Sequence, residues 1–306
     1  MDERYPRIRH YTRSGEDQEP WLFIRESVNI TFYMRRSHPE IARVVLAALA
    51  TYLQVVGERA LGWYTDAEGD WRELDDPGWE ATRQRLLNPR GAHLTLAGSP
   101  DDLTGYEFTY HGRSHDPTTS ERNAVCAVSF WLPTEAMESR GPEQVRDLAL
   151  KLAEELPFDS GHAGLALLFP EGLLGTTESL REVCARYPGL DVPGLGTASL
   201  FLGTSLKGVH WLNFLGPSVW AELDGADGLR SRLHMPGSVV RELMTGDRGV
   251  ISLGAWPEAG DVAEGRGLPA YRELAHVLEP WLYVERFDWG GFSREDMRRW
   301  QRRFLD

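Results

Sequence analysis

The sequence predicts an α+β fold, a mainly antiparallel sheet or pair of sheets covered by helices, and three observations predict it. The stretch WLFIRESVNITFYM (21–34) sets Val28, Ile30, Phe32 and Met34 against Asn29, Thr31 and Tyr33, the period of a half-buried strand. A helix start follows at once, with Ser37 at the cap, Pro39 in the first turn and Glu40 three residues after the cap. The order strand, helix, strands then recurs in the second half without a residue-level repeat, which allows two similar lobes, 21–140 and 141–306. Whether they share one sheet or build two is left open by the pattern.

Each element has its own signal. Residues 1–20 read as a mobile arm pinned by Tyr5 and Tyr11, with structure beginning at Trp21. IARVVLAALATYLQVV (41–56) is a largely buried helix that Gly57 ends. AEGD (67–70) marks a turn between short strands, and DDPGW (75–79) a second turn into a short helix. Strands are expected at Ala92 to Ala97, Tyr106 to His111 and Ala124 to Leu132. Gly141-Pro142-Glu143 opens a helix carrying Val145, Leu148, Leu152 and Leu156 on one face, stopped at Pro157. GHAGLALLF (161–169) and VHWLNFL (209–215) read as buried strands, and TTESLREVCARY (176–187) as a helix capped by Thr176 or Thr177. GVISLGAWP (249–257) supplies another strand with its exit turn. Two helices remain, PAYRELAHVLEPW (269–281) and SREDMRRWQRRFL (293–305), the latter capped by Ser293 and ending in arginines that suit a helix C-terminus.

Composition bounds the function. In 306 residues, 42% hydrophobic and 26% charged, there is material for a sizeable core and little for disorder. The N-terminus lacks the apolar run of a secretory signal, and Val44 to Leu53 reads as too short and interrupted to cross a bilayer, so a cytoplasmic protein without a membrane partner is expected. The cysteines, Cys126 and Cys184, have no near partners and read as reduced, buried thiols. A net charge of -13 repels nucleic acid and favours a basic protein partner drawn in by long-range attraction.

Catalytic and cofactor patterns fail one by one. PGLGTASLFLG has Ser199 where a dinucleotide loop needs its third glycine, and GTSLKG has Lys207 where a nucleophile elbow needs glycine. His111 and His115 are four apart on a loop-like stretch, without the helical geometry of a metal pair. His162 and His210 lie in apolar runs and read as core or interface histidines. The acid-x-lysine spacing of a restriction-type nuclease is missing, since residues 149 and 205 are alanine and serine. No catalytic residue, cofactor or metal site is expected.

Three stretches carry a resemblance: IRESVNITFYM (24–34), VHWLNFLG (209–216) and LGAWPEAGDVAEGRGLPAYRELAHVLEP (253–280). Together they resemble the type VI immunity family, encoded beside polymorphic toxins, over roughly Trp21 to Pro280. The resemblance implies an immunity domain over 21–306 that inhibits a toxin delivered by a contact-dependent system. It further implies that the toxin is a nuclease of restriction-endonuclease fold. Trp211, Phe214, Gly254, Pro257, Gly260 and Asp261 within these stretches read as fold-defining.

The segment 63–80 is the candidate contact surface for a basic nuclease toxin. It gathers Asp66, Glu68, Asp70, Glu73, Asp75, Asp76 and Glu80 against the lone Arg72, interleaved with Trp63, Tyr64, Trp71 and Trp79. Tryptophan carries binding energy at interfaces, and rim carboxylates raise association rates. A solvated hairpin with its tryptophans turned into the core is the competing reading. Two other functions stay open: a hydrolase pairing carboxylates such as Asp75 and Glu80, and an interaction module of a secretion or phage-like assembly. Oligomeric state is not legible.

Overall fold

The computed structural model describes residues 5–12, 20–100, 103–114, 123–170, 176–243 and 246–306. Among them run β1 (Arg9–Thr12), β2 (Trp21–Met34), β3 (Trp63–Thr65), β4 (Trp71–Glu73), β5 (Ala92–Ala97), β6 (Glu107–Gly112), β7 (Cys126–Pro133), β8 (Ser160–Leu168), β9 (Leu212–Leu215), β10 (Ser238–Leu243) and β11 (Arg248–Leu253). They form one sheet in the order β10-β11-β9-β8-β2-β7-β6-β5-β3-β4, with β1 paired to the start of β2. Every strand pairing is antiparallel. One sheet therefore runs through both of the lobes read from the sequence, and its α+β class is as expected.

The helices are α1 (His38–Val56), α2 (Asp76–Leu86), α3 (Thr134–Arg140), α4 (Pro142–Glu155), α5 (Thr176–Arg186), α6 (Leu195–Phe201), α7 (Pro217–Glu222), α8 (Gly225–Arg230), α9 (Pro269–Leu278) and α10 (Arg294–Gln301). α1 is long and apolar enough to span a bilayer by composition, with a mean hydropathy of 1.4 in its most apolar window. That differs from the sequence reading, which saw only the shorter run 44–53. Here α1 packs on the sheet: Tyr52 lies 5.5 Å from the Phe130 ring and donates its hydroxyl to the Trp131 carbonyl at 2.5 Å. At the other end of α1, His38 bonds the Tyr110 hydroxyl. Ser37 stands at the cap, but its side chain does not close the first turn.

β2 explains the sheet. Val28, Ile30 and Phe32 point to the face that α1 covers, and Phe32 meets Phe158 and Phe214 at 5.6 and 5.0 Å between ring centroids. The sequence reading made this strand half-buried, yet Asn29 and Thr31 on its other face are buried as well. Polar atoms buried on this second face must then bond one another. They do so: Asn29 donates to Ser129 at 2.7 Å and Thr31 to Asn29 at 2.7 Å.

Within the first 20 residues, read as an arm, Arg9–Thr12 lie along β2 as β1. Arg7 and Arg9 reach the fully buried carboxylate of Glu26, which also accepts from the Ile8 amide and the Thr134 hydroxyl. Among the described residues the path of the sheet ends on β4 and β10. Each edge carries an adjacent pair of opposite charges exposed to solvent, Arg72 with Glu73 and Arg241 with Glu242.

The motif residues behave as fold-defining. Trp211 is fully buried and donates its indole NH to the Gly254 carbonyl at 3.1 Å. Asp261 is buried at the head of its turn, accepting from the Ala263 and Glu264 amides and from Arg186. Cys126 and Cys184 are buried, free thiols.

Candidate functional site

The face of the sheet away from α1 is polar over β3–β7, and this follows from strand alternation. In β5 (AHLTLA), Leu94 and Leu96 enter the core while His93 and Thr95 turn the other way. In β6 (EFTYHG), Phe108 and Tyr110 enter the core while Glu107, Thr109 and His111 turn away. The registers His93↔His111, Thr95↔Thr109, Thr109↔Ser129 and Glu107↔Trp131 set these residues side by side. They floor an open groove of about 360 Å³. One wall is Thr65 and Trp71 of the β3–β4 hairpin; the other is Phe169 and Pro170 after β8 with Pro193 to Leu195 at the start of α6.

The two floor imidazoles are biased toward the neutral form, beside the carboxyl group of Glu107. The rings of His93 and His111 lie in contact, centroids 4.2 Å apart and planes tilted by 32°. Burial, then the neighbouring His93 and Arg113, push His111 down to about 3. His93 is also lowered, by burial and by Arg85 and Arg113. His111 stands on β6, while His115, its suggested partner in sequence, lies outside the described residues.

The segment 63–80 forms the rim of this groove. Pairing Trp63↔Glu73 and Thr65↔Trp71 puts these side chains on the groove side, with Trp63 half-buried and Trp71 exposed. Tyr64 and Trp79 pack instead against the main core. Glu68, Asp70, Glu73 and Asp76 are exposed. Asp66 organises the turn, accepting from the Glu68 and Asp70 amides at 3.1 and 2.9 Å and from Arg72 at 2.8 Å. Arg72 holds the Asp66 carboxyl below the usual range, helped by those amides. Asp75 caps α2, accepting from the Gly78 amide at 2.8 Å. Glu80 bonds Arg83 and Gln84 on the exposed face of α2. Asp75 and Glu80 are thus engaged separately rather than as a pair.

The sequence reading missed the floor residues His93, Thr95, Glu107, Thr109, His111 and Trp131, although the alternations HLTL and EFTYH signal them. It also treated His162 and His210 apart. Over β8 and β9 the same sheet face is closed by residues 187–191 and 205–210, and there the two imidazoles stack with centroids 3.9 Å and planes 12° apart. Asp191 lies beside them, its Oδ2 3.2 Å from His210 Nε2 but out of line for a hydrogen bond. Burial would raise Asp191; the adjacent His210, His162 and Lys207 overcome it and hold the carboxyl well below the usual range. Burial, then His210, depresses His162.

A family model described as type VI immunity for VRR-NUC matches residues 44–304, so the class is that of immunity proteins of type VI systems. The chain belongs to this family, TsiV. No curated protein matches the sequence. Among solved structures, the Pseudomonas aeruginosa T6SS protein PA0821 is similar with a TM-score of 0.78 and 22% identity, over 94% of this chain and 83% of that one. That likeness speaks to the fold.

Proposed function

We propose that this chain binds and inhibits a cognate nuclease effector of the VRR-NUC kind, using the groove and its acidic rim, and that it does so without catalysing a reaction. The family description supplies the partner class. A nuclease presents a basic cleft to its polyanionic substrate, and a chain of net charge -13 is drawn to such a cleft. The observation that carries the reading is the rim itself. Exposed Trp71 stands over the groove beside Glu68, Asp70 and Glu73, an aromatic anchor ringed by carboxylates. We place the protein in the cytoplasm, where the nucleic acid to be protected lies.

The test is co-expression with the neighbouring nuclease gene, scored by growth and by co-purification, followed by association kinetics across salt. Rescue with a stable complex supports the reading. Growth arrest despite soluble immunity protein, or turnover of a substrate by the purified chain, overturns it.

A further inference from the structure

Four buried polar atoms converge where β8, the 187–191 loop and the 205–210 segment meet: His162 Nε2, both ring nitrogens of His210 and Asp191 Oδ2. None of them makes a well-aligned hydrogen bond, although Asp191 Oδ2 lies at ion-pair distance from both imidazoles. Their residues are 3 to 5% exposed, so bulk water does not supply the missing bonds. A buried polar atom left unsatisfied is costly, and several in one place call for a common partner. One ligand atom from each residue lies within 4.8 Å of the others.

We propose that His162, His210 and Asp191 bind a single divalent transition-metal ion of the zinc type, through two imidazole nitrogens and one carboxylate oxygen. Imidazole and carboxylate together suit Zn²⁺, with bonds of about 2.0–2.2 Å; a tetrahedral site then spaces its ligand atoms about 3.3 Å apart. Asp191 Oδ2 stands 3.2 Å from His210 Nε2 and 3.9 Å from His162 Nε2. The first distance already matches, and the second needs a shift of about half an ångström, with the stacked rings tilting to converge. A cavity of about 10 Å³ that His162 lines with Tyr33, Ser160 and Lys207 is the size of one water, and a water drawn from it is the fourth ligand of the proposed site.

Two cations oppose the ion. Arg303 comes within 3.7 Å of Asp191 Oδ1, and Lys207 lies nearby in an ion pair with buried Glu285. Their repulsion makes binding weaker than at a structural zinc finger. Arg303 is held elsewhere, donating to the Pro188 and Trp300 carbonyls, and does not complete the carboxylate's bonding. The site is independent of the toxin.

Full-length protein stripped with a chelator is titrated with Zn²⁺ and, separately, with Co²⁺. One ion per chain, a Co²⁺ spectrum with the intense visible bands of four-coordination, and a rise of several degrees in the thermal midpoint are expected. Asp191→Asn and His210→Gln are expected to lower the affinity at least tenfold. No ion above background, a weak six-coordinate Co²⁺ spectrum, or uptake undiminished in folded Asp191→Asn overturns the proposal and leaves trapped water as the partner. If the variants do not fold, the Co²⁺ spectrum of the unaltered chain decides.

Discussion

Arg9 binds Glu26 across the β1–β2 pairing, and through that contact a strand from the first dozen residues is fastened to the centre of the sheet. Glu26 has no exposed surface, and its two oxygens are shared among Arg7, Arg9, the Ile8 amide and Thr134. Glu26→Ala leaves the Ile8 amide without its acceptor and takes one partner from each of Arg7 and Arg9, which keep Glu138 and Glu135, a loss of about 1–3 kcal/mol. Chemical denaturation should show that loss, and hydrogen exchange should show residues 8–12 exposed. A variant with native stability and protected amides there contradicts the role given to Glu26.

The rim separates residues that shape it from residues free to touch a partner. Trp71→Ala is expected to weaken toxin binding by about 2 kcal/mol, roughly thirtyfold, with the thermal midpoint unchanged. Reversing Asp70, Glu73 and Asp76 to lysine is expected to slow association at low salt and to matter little at high salt, where such charges are screened. Asp66 and Asp75 are left out of that variant because their carboxylates hold the turn and cap α2. Binding kinetics that ignore both changes remove the hairpin as the contact surface.

Stability should fall with acid well before the carboxylates titrate. Burial holds His111 down at about 3, and burial also lowers buried His38, partly offset by the Asn88 carbonyl. His111 is therefore neutral in the folded chain near pH 6 and folded His38 takes up its proton less readily than the unfolded chain, which protonates both below about 6.5. The unfolded state then binds more protons, so stability rises with pH, is fully present above about 6.5 and declines below it. Each histidine contributes at most about 1.4 kcal/mol per pH unit across its own window. Urea midpoints at pH 7.5, 6 and 5 test this, and His111→Gln should flatten the slope. Midpoints that do not move between pH 7.5 and 5 would refute it.

Gly249 faces Trp220 at closest range. A Cβ there would stand 2.0 Å from the Trp220 ring, whose indole NH is tied to the Gly246 carbonyl at 3.0 Å. Gly249→Ala is expected to cost about 1–3 kcal/mol by forced repacking. Paired with Trp220→Phe, the same change should cost less, as a double-mutant cycle would measure.

What was legible in the sequence was whatever local chemistry decides. The alternation of 21–34, the Ser293 cap and the Leu94/Leu96 strand each carry their signal within a few residues. The Ser293 cap forms the reciprocal bond with Asp296. Elements that owe their form to packing were not legible. α8, GADGLR, has two glycines in six residues and holds because Ala226 and Leu229 are buried against the sheet. β10 carries no clean alternation, with Val239 exposed on an edge. β1, α3, α6 and α7 are likewise short and were not foreseen. The groove was half legible: its rim stood out as acids among tryptophans, but its floor required knowing which strands are neighbours. His162, Asp191 and His210 are far apart in the chain, and only the β8 pairing and the 187–191 turn unite them.

Under the proposed function, copies of the chain wait unoccupied for their target. Among the described residues the end strands β4 and β10 each have one unpaired side, on which another copy can build. Both strands carry a plus and a minus side by side, Arg72 with Glu73 and Arg241 with Glu242, which penalises a flat, dry junction between copies. Such edges work against self-association and leave the proposed binding face open to a toxin.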